Sequence, residues 1–340
     1  MNFDGAAHGR NPGEPTILGK VTLEDHFAIE TTLGEPHPYW AHAWTEVRHR
    51  LLDFQDRRLR LMDESGVEIM VVSLNSPAVQ AIADVKQAAE AARRANDLLA
   101  AEVAKRPDRF VGIAALAMHD PDIAARELER CVKQLGFRGV LVNGFSQIGS
   151  SALYYDLPQY RPFWDAVERL DVPFYLHPRN PLPGSIPGYD GHAWLNGPSW
   201  AFAAETAVHA LRLIGSGLFD VHPRLRIILG HLGEGLPYYL WRLDNRNNWM
   251  KAPHQYAARG RVADYMRANF HLTTSGHYST PALTNAIAEM GIDRVMFSVD
   301  YPYEAISDAA DWFDNVPLSE ADRHKIGRTN ALRLFKLSDG

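Results

Sequence analysis

Residues 17–26 read ILGKVTLEDH, a short apolar run that leads directly into three ionisable residues. Comparable short apolar runs recur along the chain and alternate with longer amphipathic or charged stretches. Eight such runs occur, at residues 17–23, 67–74, 110–116, 140–145, 172–176, 225–229, 270–274 and 295–299. Several are β-branched with little alternation, which is typical of parallel strands that are buried on both faces.

The segments between these runs have helical spacing. In one of them Ala124, Leu128, Val132 and Leu135 recur on one helix face, with charged residues between them. Eight strand-like runs, most of them followed by a helix-like segment, fit a (β/α)8 barrel better than an open doubly wound sheet. We therefore predict an α/β fold, a distorted (β/α)8 TIM barrel with long loops after strands 1 and 5, at residues 28–45 and 178–199.

Length and composition limit the class of protein. The chain has 340 residues, of which 46% are hydrophobic and 22% charged, enough for a sizeable core. Residues 1–15 are rich in Gly, Pro and Asn and are predicted to be a flexible N-terminal arm, so residues 16–340 form a single barrel domain. A net charge of -6 argues against a broad basic surface for nucleic acid or an anionic membrane.

Targeting and cysteine content add two expectations. No stretch approaches the ~20 apolar residues of a membrane span, and the first residues lack the pattern of a signal peptide. We therefore expect a cytoplasmic protein with a small-molecule partner. Cys131 is the only cysteine, which excludes a zinc site built from several thiolates. Any metal must then be held by histidines and carboxylates.

Ionisable residues follow four of the eight apolar runs. In a barrel the catalytic groups lie at the C-terminal ends of the strands. The first run is followed by Glu24 and His26, the fifth by His177, the sixth by His231 and the eighth by Asp300. Each residue taken alone is more often a satisfied polar side chain than a ligand. Together they predict a site for zinc, manganese or magnesium, because burying several such groups without a metal or mutual pairing is costly.

Glu234 follows His231 by three residues, within the sequence GHLGEG at 230–235. This segment lacks the Lys and Ser/Thr of a phosphate-binding loop, so we interpret it as a strand end. A carboxylate that orients His231 would make the pair a proton-transfer device. The alternative is that Glu234 only complements the dipole of the next helix.

Five motifs identify a family resemblance that extends over essentially the whole chain after the N-terminal arm. They lie at 19–29, 141–146 (LVNGFS), 175–181 (YLHPRNP), 230–234 (GHLGE) and 326–330 (IGRTN). Together they resemble the γ-resorcylate (2,6-dihydroxybenzoate) decarboxylases, which belong to the hydroxybenzoate decarboxylase group of the amidohydrolase superfamily. The resemblance implies a (β/α)8 barrel with one divalent metal ion, manganese first and zinc or magnesium as alternatives, and no organic cofactor.

The resemblance also implies an activity and roles for individual residues. The expected reaction is the reversible, non-oxidative decarboxylation of an ortho-hydroxybenzoate, 2,6-dihydroxybenzoate to resorcinol and CO2. Carried over by position, the metal ligands are Glu24, His26, His177 and Asp300; the catalytic residues are Asp300, His231 and Glu234; and the substrate-binding residues are Asn143 and Arg242. Arg242 matches an arginine that reaches a neighbouring subunit's site, and the resemblance implies a homotetramer built as a dimer of dimers.

Departures from the superfamily pattern keep alternatives open. The first strand carries Glu-x-His in place of His-x-His, and Asn143 stands where two-metal hydrolases have a bridging lysine, so a one-metal decarboxylase is favoured. The sequence Asp-Tyr-Pro-Tyr at 300–303 differs from the expected Asp-Trp-Pro-Phe. A 2,3-dihydroxybenzoate or salicylate decarboxylase is therefore an alternative. A mononuclear hydrolase in the same barrel and a catalytically silent binding module are the rivals.

Overall fold

The structure is a computed structural model that describes Ile17 and residues 19–34, 41–249 and 256–338. The predicted N-terminal arm, residues 1–15, lies outside the described residues. The strands are β1 (Lys20–Phe27), β2 (Val67–Leu74), β3 (Phe110–Gly112), β4 (Val140–Asn143), β5 (Ser146–Ile148), β6 (Ser151–Leu153), β7 (Phe174–His177), β8 (Ile227–Leu229), β9 (Phe270–Thr273) and β10 (Val295–Met296).

Helices separate most of the strands, as the alternating pattern predicts. They are α1 (Trp44–Leu52), α2 (Arg57–Glu64), α3 (Val85–Lys105), α4 (Pro121–Gln134), α5 (Arg161–Leu170), α6 (Ala201–Gly215), α7 (Leu218–Val221), α8 (His231–Glu234), α9 (Leu236–Trp249), α10 (Val262–Asn269), α11 (Thr280–Met290), α12 (Ile306–Asn315), α13 (Glu320–His324) and α14 (Asn330–Phe335). Among the described residues, none of the helices combines the length and apolar composition that a membrane crossing requires.

Two parallel sheets form the centre of the molecule. One has the order β1-β2-β3 and the other the order β10-β9-β8-β7-β4. A parallel bridge between Ala114 and Val140 links the sheets on one side. On the other side the backbone N–H of His26 donates to the carbonyl of Tyr301 at 2.6 Å. The predicted α/β class with parallel strands is therefore confirmed.

Each predicted apolar run overlaps one of the parallel strands, but the first run was placed too early. It was expected to end at Leu23, whereas β1 continues through Glu24 and His26 to Phe27. Every residue of β1 is buried, so these polar side chains lie inside the protein with partners and do not mark the end of the strand. The antiparallel hairpin of β5 and β6 was not predicted.

The C-terminal helix α14 covers one end of the strands. Its apolar residues pack with Val21, Tyr175 and Ile228, which belong to β1, β7 and β8. Phe335 of α14 lies so near Gly139, directly before β4, that a Cβ there would be 3.2 Å from its ring. The N-terminal ends of the strands are therefore occupied by apolar side chains, which leaves their C-terminal ends for a polar site.

Candidate metal centre

The polar end of β1 supplies two side chains to the same space. Glu24 and His26 are two residues apart and so point to the same side of the strand, and both are fully buried. Asp25 lies between them and faces the other way, where its Oδ1 accepts the backbone N–H of Tyr301 at 3.2 Å. Burial raises the pKa of Asp25 to about 7. The alternation predicted from the sequence is thus present.

Four of the predicted residues meet at the C-terminal ends of β1, β7 and β10. One ligand atom from each of Glu24, His26, His177 and Asp300 lies within 4.8 Å of the others. Glu24 Oε1 is 3.1 Å from His177 Nε2, and His26 Nε2 is 3.3 Å from Asp300 Oδ1. Two carboxylates and two imidazoles at these separations form a donor set suited to a divalent cation.

The hydrogen bonds of the two imidazoles leave their Nε2 atoms available as ligands. His177 Nδ1 donates to the carbonyl of Pro178 at 3.0 Å, which requires the proton to be on Nδ1. His26 Nδ1 lies 3.2 Å from Ser73 Oγ, whose own proton goes to the carbonyl of Asp25. Burial lowers the pKa of His177 and favours the neutral, metal-binding form.

Glu24 is held through one of its two oxygens. Its Oε2 accepts hydrogen bonds from the hydroxyls of Tyr175 and Ser275. Its Oε1 and the Nε2 of His26 are buried and have no hydrogen-bond partner among the described residues. Buried polar atoms are rarely left in this state, so these two orphaned atoms fit a bound cation. Burial opposes ionisation of Glu24, yet its pKa is lowered overall, and the charge of His231 is the largest influence that opposes burial.

His231 and Glu234 form the predicted pair beside the cluster. His231 Nδ1 is 2.8 Å from Glu234 Oε1, and its Nε2 is 3.6 Å from Asp300 Oδ2. Burial alone would lower the pKa of His231, but the charges of Glu234 and Glu24 outweigh burial and raise it well above its ordinary value. The side chains of His231 and Asp300 are 21% and 16% exposed, so this side of the centre has access to solvent.

His231 and Asp300 have a left-handed backbone, with φ of 50° and 82°, and the short segment α8 is itself a left-handed turn because all four of its residues have positive φ. Such conformations are unfavourable for residues other than glycine and concentrate at functional sites. Here they turn the chain sharply after β8 and β10, which aims each side chain back over the strand ends.

Asn143 and Arg242 occupy different surroundings. Asn143 ends β4 beside His177 in the sheet, and its Nδ2 donates to the carbonyl of Asn75 at 2.9 Å. Its buried Oδ1 has no donor within the described part of the chain. Arg242 is exposed on α9 and is not one of the four residues of the metal cluster.

The sequence prediction missed the hydroxyl groups of Tyr175, Thr273 and Ser275. Tyr175 lies two residues before His177, and Thr273 and Ser275 are two residues apart at the end of β9. Residues two apart in a strand point to the same side, and this spacing was the only signal in the sequence. The spacing indicates a shared site only when the order of the strands is known, because the hydroxyls from β7 and from the end of β9 bind Glu24 of β1. Gly276 was also missed; a Cβ there would lie 3.0 Å from His231 Cδ2.

A family model described as Amidohydrolase matches residues 38–337, and the chain belongs to this family. Within it, the chain is 63% identical over 328 residues to gamma-resorcylate decarboxylase from Rhizobium radiobacter, covering 94% of this chain and 99% of that protein. The resemblance predicted from the sequence motifs is therefore confirmed.

Solved structures agree with this relationship. A 2,6-dihydroxybenzoate decarboxylase complexed with 2,6-dihydroxybenzoate has 63% sequence identity and a TM-score of 0.92, over 94% of this chain and 100% of that one. A dihydroxybenzoic acid decarboxylase from Polaromonas sp. JS666, with bound manganese and the inhibitor 2-nitroresorcinol, has 61% identity and a TM-score of 0.92, over 95% and 98% of the two chains.

Proposed function

We propose that this protein is a metal-dependent carboxy-lyase that converts 2,6-dihydroxybenzoate to resorcinol and CO2, reversibly and without an oxidant. The observation that carries the proposal is the buried cluster of Glu24, His26, His177 and Asp300 with His231 and Glu234 directly beside it. The 63% identity to gamma-resorcylate decarboxylase supports the same reaction and substrate. The reaction exchanges a carboxylate for a proton with no net oxidation, so it needs no redox cofactor, and we propose that the metal ion is the only cofactor.

The four clustered residues would hold one divalent cation, for which manganese is our first choice and zinc or magnesium the alternatives. The cation would supply a Lewis acid beside the carboxylate and ortho-hydroxyl oxygens of the substrate. Glu24, His26 and His177 are buried and anchored by neighbouring groups, so they are suited to holding the cation in place. Asp300 is more exposed and is suited to a second role.

In the proposed mechanism Asp300 delivers a proton to the ring carbon that bears the carboxylate. The C–H bond forms at that carbon, the bond to the carboxylate then breaks, and its electron pair restores the aromatic ring as CO2 leaves. His231 Nε2, 3.6 Å from Asp300 Oδ2, returns a proton to Asp300. Glu234 orients His231 and stabilises its charged form.

Asn143 is proposed to contact the substrate. Its Nδ2 and backbone N–H are bonded to Asn75 and Gln80, so the amide is fixed in orientation. The unpartnered Oδ1 is then an acceptor for a substrate hydroxyl, which favours substrates with a donor at that position.

We also propose that the two sheets close into one distorted (β/α)8 barrel comprising residues 16–340. The Ala114–Val140 bridge and the His26–Tyr301 hydrogen bond support closure on both sides. Residues 28–34, 41–43 and 178–199 would belong to the long loops over its C-terminal end; residues 35–40 of the first predicted loop lie outside the described residues, and its last two residues begin α1. The second of these segments contains three short 3-10 helices, Pro187–Tyr189, Ala193–Leu195 and Gly197–Ser199.

The proposed homotetramer is supported by an apolar face on α9. Tyr238, Trp241 and Trp249 are 77%, 73% and 73% exposed, which is unusual for three large aromatic side chains on one helix. Arg242 lies among them and would reach the site of a second copy. The cytoplasmic location stays a prediction from the sequence.

The test is an anaerobic assay of the manganese-loaded protein with 2,6-dihydroxybenzoate, 2,3-dihydroxybenzoate and salicylate. We expect CO2 and resorcinol from the first substrate, at a higher kcat/KM than from the other two. Preference for another isomer would contradict the assignment of the substrate. Turnover of an ester or lactone to a new carboxylic acid, with no CO2 from any benzoate, would instead establish the hydrolase.

A further inference from the structure

Three buried hydroxyl groups surround one oxygen of Glu24. We call Tyr175, Thr273 and Ser275 the hydroxyl cradle. The hydroxyls of Tyr175 and Ser275 donate to Glu24 Oε2, and the Thr273 hydroxyl lies 3.4 Å from the same atom. Thr273 Oγ1 is also 2.8 Å from both other hydroxyl oxygens, so the three groups form one connected network. All three residues are fully buried.

Gly230 closes another side of the same oxygen. A Cβ at this position would lie 2.5 Å from Glu24 Oε2, which is shorter than the contacts that Cβ atoms make in proteins. The backbone φ of Gly230 is -71°, a value that any residue adopts. Glycine is therefore needed here for the close approach to the carboxylate and not for its conformational freedom.

The other oxygen of Glu24 has opposite surroundings. Oε1 has no hydrogen-bond partner among the described residues and lies 3.1 Å from His177 Nε2. The two oxygens of the Glu24 carboxylate therefore have different environments. Oε2 accepts hydrogen bonds from the neighbouring hydroxyls, whereas Oε1 faces the ligand atoms of the other clustered residues.

We propose that the hydroxyl cradle is a positioning device that restricts Glu24 to one-oxygen binding of the divalent cation. A carboxylate binds a cation through one or both oxygens, and hydrogen bonds to Oε2 compete with the two-oxygen mode. Ser275 Oγ also accepts the backbone N–H of His231 at 3.3 Å, so it links the metal ligand to the proton-handling residue. The inference rests on the metal site of the proposed function but not on the reaction.

The experiment measures manganese binding without substrate in Tyr175→Phe and Ser275→Ala, by electron paramagnetic resonance of free and bound Mn2+. Each change removes one hydroxyl and little else. Tyr155→Phe is the matched control, because its buried hydroxyl is bonded to Ser146 Oγ at 3.1 Å, outside the centre. We expect the cradle variants to bind Mn2+ about 10- to 100-fold more weakly, the range found when outer-shell partners of a metal ligand are removed.

Two further readouts separate positioning from a general loss of structure. We expect the spectrum of bound Mn2+ to change in the cradle variants, because a freed Oε2 alters the coordination. The melting temperature of the metal-free cradle variants should fall no further than that of Tyr155→Phe. Unchanged affinity in both cradle variants, or an equal loss of affinity in the control, would overturn the proposal. Neither result depends on decarboxylase activity, so failure of the proposed reaction is a separate outcome.

Discussion

The two halves of the metal centre differ in how their residues are held. In the buried half, Glu24 and His26 are fully buried and the His177 side chain is 6% exposed. In the open half, the side chains of His231 and Asp300 are 21% and 16% exposed. The difference agrees with the tasks we propose for these residues: Glu24, His26 and His177 hold the cation in a fixed position, whereas Asp300 and His231 also exchange protons and need a path to water.

The means of positioning differ as well. Neighbouring hydroxyl and carbonyl groups hold the buried half through hydrogen bonds, as with Tyr175 on Glu24 and Pro178 on His177. The open half depends on left-handed backbone at His231 and Asp300, which costs on the order of 1–3 kcal/mol per residue and persists only where surrounding contacts enforce it. Substitutions in the two halves should therefore fail in different ways.

The largest effect is expected for Asp300→Asn in the open half. The amide cannot donate a carboxylic proton, so turnover of 2,6-dihydroxybenzoate should fall about 10³-fold or more, within the usual range for loss of a general acid. CO2 release and bound manganese are measured on the same sample. The control is Asp293→Asn, an exposed aspartate that is paired only with Lys325 in the described structure. Turnover within tenfold of the unaltered protein would remove Asp300 from the mechanism.

Glu234→Gln should have the next largest effect. His231 loses the negative charge 2.8 Å from its Nδ1, so its charged form is less stable and kcat should fall about 100-fold. Manganese content should stay the same, because Glu234 is not one of the clustered ligands. Glu205→Gln, at a carboxyl bonded to Tyr154, is the control. A protein that loses manganese but keeps its kcat when reloaded would show that Glu234 supports the metal ligands and not the charge of His231.

Gly230→Ala tests the buried half. The new Cβ would be 2.5 Å from Glu24 Oε2 and must displace the carboxylate, so manganese affinity should fall about 10- to 100-fold. At saturating manganese much of the turnover should return. Affinity is measured by titration of the metal-free protein. An unaltered dissociation constant would show that Glu24 tolerates the displacement.

Gly276→Ala makes the equivalent change in the open half and should have the smallest effect. Its Cβ would lie 3.0 Å from His231 Cδ2 and 3.2 Å from Asp300 Oδ2, at a φ of 57° that costs alanine about 1–2 kcal/mol. We expect kcat to fall about tenfold, which corresponds to ~1.4 kcal/mol, with a smaller loss of manganese affinity than in Gly230→Ala. Gly188→Ala, where a Cβ meets nothing within 4 Å, is the control. The reverse order of the two affinities would contradict the division into halves.

The sequence predicted the features that repeat along the chain, namely the parallel strands and the polar residues that follow them. Apolar runs located the parallel strands, since a strand buried on both faces is rich in apolar residues, as at 70–72 within β2. The ionisable residues after those runs then indicated Glu24, His26, His177 and Asp300, which the structure brings within 4.8 Å. The bounds of β1 were wrong because polar residues buried by tertiary partners do not end a strand.

Other features depend on contacts between distant segments. Ser275 and Glu24 are 251 residues apart, and no local pattern indicates that one donates a hydrogen bond to the other. The same holds for Gly230, whose backbone is unremarkable and whose need for glycine comes only from the carboxylate beside it. By itself the sequence determined the family, the parallel strands and the kinds of residue at their ends, because these depend on hydrophobic periodicity and local motifs. Only the tertiary structure decided which oxygen of Glu24 is saturated and which side of the centre meets water, because both follow from strand order and packing.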